Sequence, residues 1–80
     1  MYLREEAFEF LRGQRPGGRE KLLAFLRSLR KDPFRKGDYT ERDEMGRDIE
    51  VAVVGHYAVL FWADHPVKEI KVVELRLADR

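Results

Sequence analysis

The sequence predicts an α+β fold in which an N-terminal helical hairpin packs on a three- to four-stranded antiparallel sheet. The stretch from Asp48 onward is dominated by β-branched and aromatic residues, and it divides into three strand-length runs: Ile49–Val54, Tyr57–Ala63 and Ile70–Leu77. Gly55 and Pro66 lie between these runs, and both residue types are typical of turns between strands. Upstream of Asp32 the apolar residues have helical spacing instead. Helices followed by a meander of strands indicate the α+β class.

Two amphipathic segments predict the helical hairpin, which spans residues 1–32. The first, Arg4–Arg12, has apolar residues at i, i+4 and i+7 spacing. The second, Arg19–Lys31, places four leucines on one broad apolar stripe. The connecting segment Gly13–Gly18 holds three glycines and a proline, so we expect it to form a non-helical corner. The second helix should end at Asp32, because a residue that precedes proline disfavours the α region.

The antiparallel meander is predicted over residues 38–77. Tyr39–Arg42 is expected to form a short strand that folds back on the next one through a turn around Gly46. The run Tyr57–Ala63 is apolar on both faces, which predicts a central strand that is covered on both sides. Alternation along the last run predicts one core face and leaves Glu74 and Arg76 together on the other face. The predicted core face of that run consists of Lys71, Val73, Leu75 and Leu77.

Composition and length indicate one small cytoplasmic domain over residues 1–80. The chain has no cysteine, which excludes disulfides and thiolate metal sites. His56 and His65 are not arranged with any spacing that is typical of metal ligands, so we expect neither a metal nor another cofactor. No run approaches the roughly 18 apolar residues of a membrane span, and the N-terminus lacks the layout of a signal peptide. We therefore expect no membrane partner.

The net charge of +1 conceals an asymmetry between the two halves of the chain. Residues 1–36 contain ten Lys/Arg and five acids, whereas residues 37–80 contain six Lys/Arg and ten acids. A basic cluster attracts nucleic acid or acidic partners, which makes Arg27 and Arg30 of the second helix candidate nucleic-acid-binding residues. Long basic side chains also solvate the outer faces of helices without any partner. Both interpretations are open at this point.

Hairpin geometry is expected to bring a group of polar side chains to the strand ends and to the open face of the sheet. RNA cleavage without a metal needs groups that transfer protons and fixed cations that stabilise the charge developing on the phosphate. His56 and Tyr57 are candidates for the first role, and Arg76 and Arg47 for the second. Each has a structural alternative. His56 is a turn residue, Tyr57 a half-buried anchor, and Arg76 the partner of Glu74 in a surface ion pair.

The order of these segments resembles the RelE/ParE toxin superfamily of bacterial type II toxin–antitoxin modules. The stretch EEAFEFLRGQRPGGREKLLAFLRSLRKDPF looks like the helical hairpin of that family, and GDYTERDEMGRDIEVAVVGHYAVLFWADHPVKEIKVVELRLADR looks like its three-strand meander. By position, Arg76 matches the basic residue of the family's last strand, and Tyr57 matches the aromatic residue that opens the central strand. The family's usual first strand is reduced here to Met1-Tyr2-Leu3. The resemblance implies a RelE-like fold and an antitoxin-type protein partner, and it is compatible with a homodimer.

The resemblance implies a toxin component, for which two modes of action are open. In the first, the protein is a ribosome-dependent mRNA endoribonuclease. Its catalytic and nucleic-acid-binding residues would then be Arg76, Tyr57, His56, Arg47, Arg27 and Arg30. In the second, it is a non-catalytic module that binds protein or nucleic acid on the same scaffold. Ala58 occupies the position at which ribosome-dependent members have an arginine, and the half of the chain that forms the sheet is net acidic. Both departures favour the second mode, because RNA binding depends on neutralising phosphates.

Overall fold

The computed structural model describes residues 1–78, so Asp79 and Arg80, the last two positions of the predicted domain, lie outside the described residues. No helix in this part of the chain is long and apolar enough to cross a membrane. The described residues form two helices and five strands. In chain order these are β1 (Tyr2–Leu3), α1 (Glu5–Arg12), α2 (Pro16–Lys31), β2 (Tyr39–Arg42), β3 (Asp48–Val54), β4 (Tyr57–Asp64) and β5 (Glu69–Leu77).

All five strands belong to one sheet with the order β1-β5-β4-β3-β2. Strands β2 to β5 form an antiparallel meander, which confirms the predicted α+β arrangement of helices followed by a meander. The sheet also contains β1, which pairs parallel with β5 through Tyr2 and Leu3. The residue pattern did not predict this fifth strand, because two residues are too few to show alternation. The family resemblance had placed a reduced first strand at Met1-Tyr2-Leu3, where β1 lies.

Helix α2 begins three residues before the predicted start. Pro16 occupies the first helical position, where its missing N–H is not needed and its fixed φ suits the helix. Gly17 and Gly18 complete the first turn, and the backbone N–H of Arg19 donates to the carbonyl of Arg15 at 2.8 Å. The prediction of a non-helical corner is therefore wrong for residues 16–18. Glycine weakens a helix by about 1 kcal/mol relative to alanine, but it does not prevent one that is supported by packing.

The two helices cover one face of the sheet and form the main core with it. Leu22 and Leu29 of α2 and Ala7 of α1 are completely buried there. Burial of each such leucine contributes about 1.5–3 kcal/mol to folding. The sheet side chains that join this core are Ala52, Val59, Phe61, Ile70, Val72 and Leu75.

The opposite face of the sheet, which we call the open face, has no helix of residues 1–78 against it. Its centre is nevertheless apolar, and Ile49, Val51, Ala58 and Leu60 are all less than 5% exposed. Partly buried side chains, including Trp62, pack around them. Strand β4 is therefore central and apolar on both faces, as predicted.

A β-bulge in β5 changes which of its side chains face the helices. Leu60 pairs with Glu74 but Phe61 pairs with Val72, so Val73 is an additional residue on β5. Val72 consequently lies in the helix-side core with Leu75, whereas Val73 packs on the open face. The predicted core face of this strand is wrong in its first half, because one inserted residue shifts the alternation.

The loop between α2 and β2 is fixed against β3 by three hydrogen bonds. The backbone N–H of Asp38 donates to the carbonyl of Val51 at 2.7 Å, and its carboxylate accepts the N–H of Val53 at 2.6 Å. The N–H of Gly37 donates to Oε1 of Glu50 at 2.6 Å. Gly37 comes so close to β3 that a Cβ atom would lie 2.6 Å from the Val51 carbonyl oxygen. The entry into β2 thus requires glycine at this position.

Candidate functional site

The open face contains a cleft of about 780 Å³ beside the β2–β3 hairpin. Ile49, Leu60 and Trp62 contribute its apolar part, and the hairpin loop lines one side. Four basic and four acidic residues also line it: Arg4, Arg42, Arg47, Lys71, Glu41, Asp43, Glu44 and Glu74. Because the charges balance, this cleft has no excess of positive charge to attract phosphates.

Arg76 lies on β5 next to the cleft, and two carboxylates that line the cleft hold its guanidinium. It forms an ion pair with Glu41, and its Nη1 atom lies 3.7 Å from Oε1 of Glu74. The hydrogen bond to Glu41 is the main cause of a raised pKa of Arg76, and the charge of Glu74 adds to it. The Arg76 side chain is 37% exposed, so an anion from solvent can reach it. Such an anion would compete with the two carboxylates.

Ala58 lies beside Arg76 on the open face. It pairs directly with Arg76 in the β4–β5 ladder and is only 1% exposed. Strands β4 and β3 separate β5 from β2, so the side chains of Arg76 and Glu41 extend toward each other across both strands. An arginine at position 58 would bring a second positive charge beside Arg76.

A second group on the open face combines basic and aromatic side chains. The guanidinium of Arg47 lies 4.2 Å from the centre of the Trp62 ring, and Nζ of Lys71 lies 5.9 Å from the same ring. The Lys71 ammonium is also 5.8 Å from the ring of Tyr2. Cation–π contacts of this kind contribute about 0.5–1 kcal/mol at exposed sites. Strand alternation places Trp62 on the open face, but no sequence pattern indicates that the loop residue Arg47 folds back over it.

Asp43 holds Arg47 in this position. One carboxylate oxygen, Oδ1, accepts the backbone N–H groups of Met45 and Arg47 at 2.9 and 2.8 Å. The other oxygen, Oδ2, accepts from Nε of Arg47 at 3.1 Å. These bonds, with the backbone N–H of Arg47 as the largest cause, lower the pKa of Asp43 below its ordinary value. Gly46, with φ of 80°, completes the turn.

We expect Asp43→Asn to destabilise the protein at neutral pH and to have less effect in acid. Because the folded state lowers the pKa of Asp43, its carboxylate stabilises the fold above the unfolded-state pKa of about 3.9. This contribution is lost as the pH falls through the lower folded-state pKa. Thermal unfolding of both proteins from about pH 7 to about pH 2.5 measures the effect. The difference in Tm should narrow in acid, and a constant difference would contradict this role.

Tyr57 lies on the helix-covered face of the sheet, away from Arg76. Its hydroxyl donates to Oε1 of Gln14 at 3.1 Å, and its ring meets that of Phe10 edge to face with centroids 6.0 Å apart. Gly18 comes so close that a Cβ atom there would overlap the Tyr57 hydroxyl. Neighbouring residues of a strand point to opposite faces of the sheet. Tyr57 therefore lies on the face opposite to that of its neighbour Ala58, which pairs with Arg76. Tyr57 therefore anchors the corner between α1 and α2.

We expect Tyr57→Phe to lower the free energy of unfolding by about 1 kcal/mol, the net contribution of one hydrogen bond. The change should leave the open face unaffected. Urea denaturation of the variant and the wild type measures this difference. A Tyr57→Phe protein as stable as the wild type would contradict the anchoring role.

The other predicted site residues are distributed over the surface. His56 is exposed in the turn between β3 and β4. Arg27 and Arg30 are exposed on α2, and Arg30 lies beside Met1 and Glu69 at the edge of the sheet. Of the six predicted residues, Arg47 and Arg76 are the two that the structure brings to the open face. Within residues 1–78, no group of three or more His, Asp or Glu side chains is placed to hold a metal ion.

Comparison with known proteins identifies the fold. No family model and no curated protein matches the chain. Among solved structures, the chain is similar to one in the crystal structure of the archaeal RelE-RelB complex from Pyrococcus horikoshii OT3, with a TM-score of 0.77. The similarity covers 99% of this chain and 93% of that chain at 18% sequence identity. The chain therefore has a RelE-like fold, as the resemblance in its sequence predicted.

Proposed function

We propose that this protein is the toxin component of a toxin–antitoxin module and that an antitoxin-type protein is its partner. The observation that carries the proposal is the RelE-like fold, which extends over 99% of the chain. The structure that it resembles is that of a RelE-RelB complex, and we transfer this type of partnership to the present chain. The cleft of the open face supports the proposal, since a groove with apolar and charged walls can bind a helix or strand of another protein.

The proposal also includes a target, which is RNA. Arg76 offers a guanidinium group that can bind a phosphate in place of a carboxylate. Trp62, beside Arg47, offers an aromatic ring on which an unpaired base can stack, and such stacking contributes about 1–3 kcal/mol for a base of any type. An unpaired segment of mRNA at the ribosome presents both a phosphate for Arg76 and a base for Trp62. Arg76 would then stabilise the charge that develops on the scissile phosphate.

The test is induced expression of the chain in a bacterial host, with growth and protein synthesis followed over time. We expect both to stop in cells that express the wild-type protein and to continue in cells that express Arg76→Ala. Circular dichroism of the purified proteins establishes that both are folded. Normal growth with a soluble, folded wild-type protein would contradict the proposal.

A second candidate function is inhibition by binding alone, without cleavage. Two observations favour it: the charge of Arg76 is already satisfied by Glu41 and Glu74, and Tyr57 lies on the other face. Mapping of mRNA 5′ ends after induction separates the two functions. New ends inside coding regions would assign cleavage, and growth arrest without new ends would assign binding alone.

A further inference from the structure

A second cavity lies at the end of the helical layer, and we call it the Phe34 pocket. It has a volume of about 380 Å³ and is formed by the loop after α2 together with the end of β4 and the turn into β5. Its lining shares no residue with the open-face cleft. The ring and aliphatic surfaces that line it belong to Pro33, Phe34, Ala63 and His65.

Phe34 presents an aromatic surface that is both exposed and held in place. The residue is 71% exposed. Its ring stacks on the ring of His65, with centroids 5.4 Å apart and an angle of 15° between the two planes. Aromatic side chains dominate the binding energy of protein interfaces, and one that is fixed before binding loses little conformational freedom. The pocket therefore offers the kind of anchor site that a protein partner uses.

The carboxylates that line the Phe34 pocket are already paired with cations. Oδ2 of Asp64 lies 3.3 Å from Nζ of Lys71, and Oε2 of Glu69 lies 3.8 Å from the amino group of Met1. Because these two charges are compensated, neither carboxylate calls for a basic partner.

The cations around the pocket are compensated to a smaller extent. Residues 30–36, which surround Phe34 in the chain, contain four cations and one acid. Arg30 and Lys68 line a smaller cavity that adjoins the pocket, and Lys68 lines the pocket itself. Residues 1–78 contain no ion pair that involves either of them. Because interfaces bring opposite charges together, the rim of the pocket favours an acidic partner.

We propose that the Phe34 pocket binds a segment of another protein in which a large apolar side chain is flanked by acidic residues. The apolar side chain would pack on Phe34, and its acidic neighbours would pair with Arg30 and Lys68. Single-stranded RNA is a poorer fit, because it requires a groove of cations that follows its backbone. The inference goes beyond the toxin role, since the pocket and the open-face cleft are separate surfaces.

The test is titration of the purified, isotopically labelled chain with the blocked peptide acetyl-Glu-Asp-Phe-Glu-Asp-amide, followed by the NMR chemical shifts of the backbone amides. We expect a Kd of about 1 mM, and shifts at Phe34, Ala63, His65 and Lys68. A peptide with serine in place of its phenylalanine should bind about tenfold more weakly, because it lacks the anchor. A peptide with lysine in place of its four acids should also bind about tenfold more weakly, because the cations of the rim repel it.

Two variants of the chain locate the binding surface. Phe34→Ser should weaken binding of the first peptide about tenfold. Its matched control is Met45→Ser, which removes a side chain that is 82% exposed beside the open-face cleft and should leave the affinity unchanged. The amide spectrum of each variant shows whether it is folded.

The charge of the rim is tested by a double variant, Arg30→Gln with Lys68→Gln. It should weaken binding about two- to fivefold at low salt, because exposed ion pairs contribute little each. Its control, Arg15→Gln with Lys21→Gln, removes two exposed cations near the start of α2 and should change the affinity by less than about twofold.

The outcomes separate this inference from its alternatives. Absence of binding up to about 10 mM peptide, equal binding of the serine peptide, or shifts confined to the open-face cleft would overturn the Phe34 pocket as an anchor site. Equal binding of the lysine peptide would overturn the acidic partner. Larger shifts of the same amides with a short unpaired RNA would overturn a protein segment as the occupant. Peptide binding without growth arrest would contradict the toxin role and leave the pocket intact.

Discussion

Replacement of Gly37 by alanine is expected to lower the free energy of unfolding by about 3 kcal/mol, the upper end of the usual cost of overpacking. For a domain of this size the loss corresponds to a fall in Tm of about 12–24 °C. The new Cβ atom would lie 2.6 Å from the carbonyl oxygen of Val51 and 2.7 Å from its carbonyl carbon and nitrogen. These are backbone atoms of β3, and the same carbonyl accepts the N–H of Asp38 at 2.7 Å. The strand cannot move away without breaking this ladder.

Gly17→Ala is the matched control for this prediction. A Cβ atom at Gly17 would have no neighbour within 4 Å, and the residue lies in the first turn of α2. Alanine at such a position stabilises a protein by about 0.4–1 kcal/mol, because it restricts the unfolded chain. Thermal and urea denaturation of both variants measure the two effects. A Gly37→Ala protein as stable as the wild type would show that the loop before β2 is not fixed against β3.

Removal of the carboxylate that holds Arg76 is the second change from which we expect a large effect. Under the proposed RNA-directed role, Glu41→Gln should raise the affinity of the open face for single-stranded RNA about tenfold, because it frees the guanidinium to form a charge-assisted hydrogen bond to a phosphate. Arg76→Ala should lower the same affinity by about 10- to 100-fold, since a hydrogen bond to a charged group contributes about 1.5–3 kcal/mol. Fluorescence anisotropy with a short unpaired RNA of mixed sequence measures both changes.

Glu44→Gln provides the control for Glu41→Gln. Glu44 lines the same cleft and is exposed, but it makes no contact with Arg76 among the ion pairs of residues 1–78. Its exchange removes the same charge from the cleft without freeing a guanidinium, so we expect less than about a twofold change. An equal increase in both variants would show that the general charge of the cleft, rather than the Glu41–Arg76 pair, controls RNA binding.

The fold was predictable from sequence where one local pattern determined an element. Tyr39–Arg42 begins and ends as predicted, because the turn around Gly46 folds it back on the next strand. The predicted start of α2 lies too far along the chain. The glycines around Pro16 indicate a break in the helix, whereas the close packing of Gly18 against the Tyr57 side chain favours a helical turn. The face assignment in β5 failed at the bulge of Val73, since alternation cannot show where an extra residue interrupts a strand.

The candidate site was predictable to a smaller extent. Arg76 and Glu74 were predicted to lie together because they are two residues apart on one strand. The partner of Arg76 that matters most, Glu41, lies on a strand that is not adjacent to β5, so no spacing in the sequence relates the two. Tyr57 was matched to the family by its position. Tyr57 is the first residue of β4, and its side chain lies on the face that the helices cover. A match by sequence position does not specify the face of the sheet.

The most direct test of the proposed toxin–antitoxin role is growth of a bacterial host in which the chain is expressed alone or together with the product of any small reading frame that adjoins its gene. We expect growth to stop when the chain is expressed alone. We also expect an adjoining reading frame whose co-expression restores growth and whose product purifies with the chain as one complex. Normal growth of cells that contain the soluble, folded chain alone would contradict the proposed role.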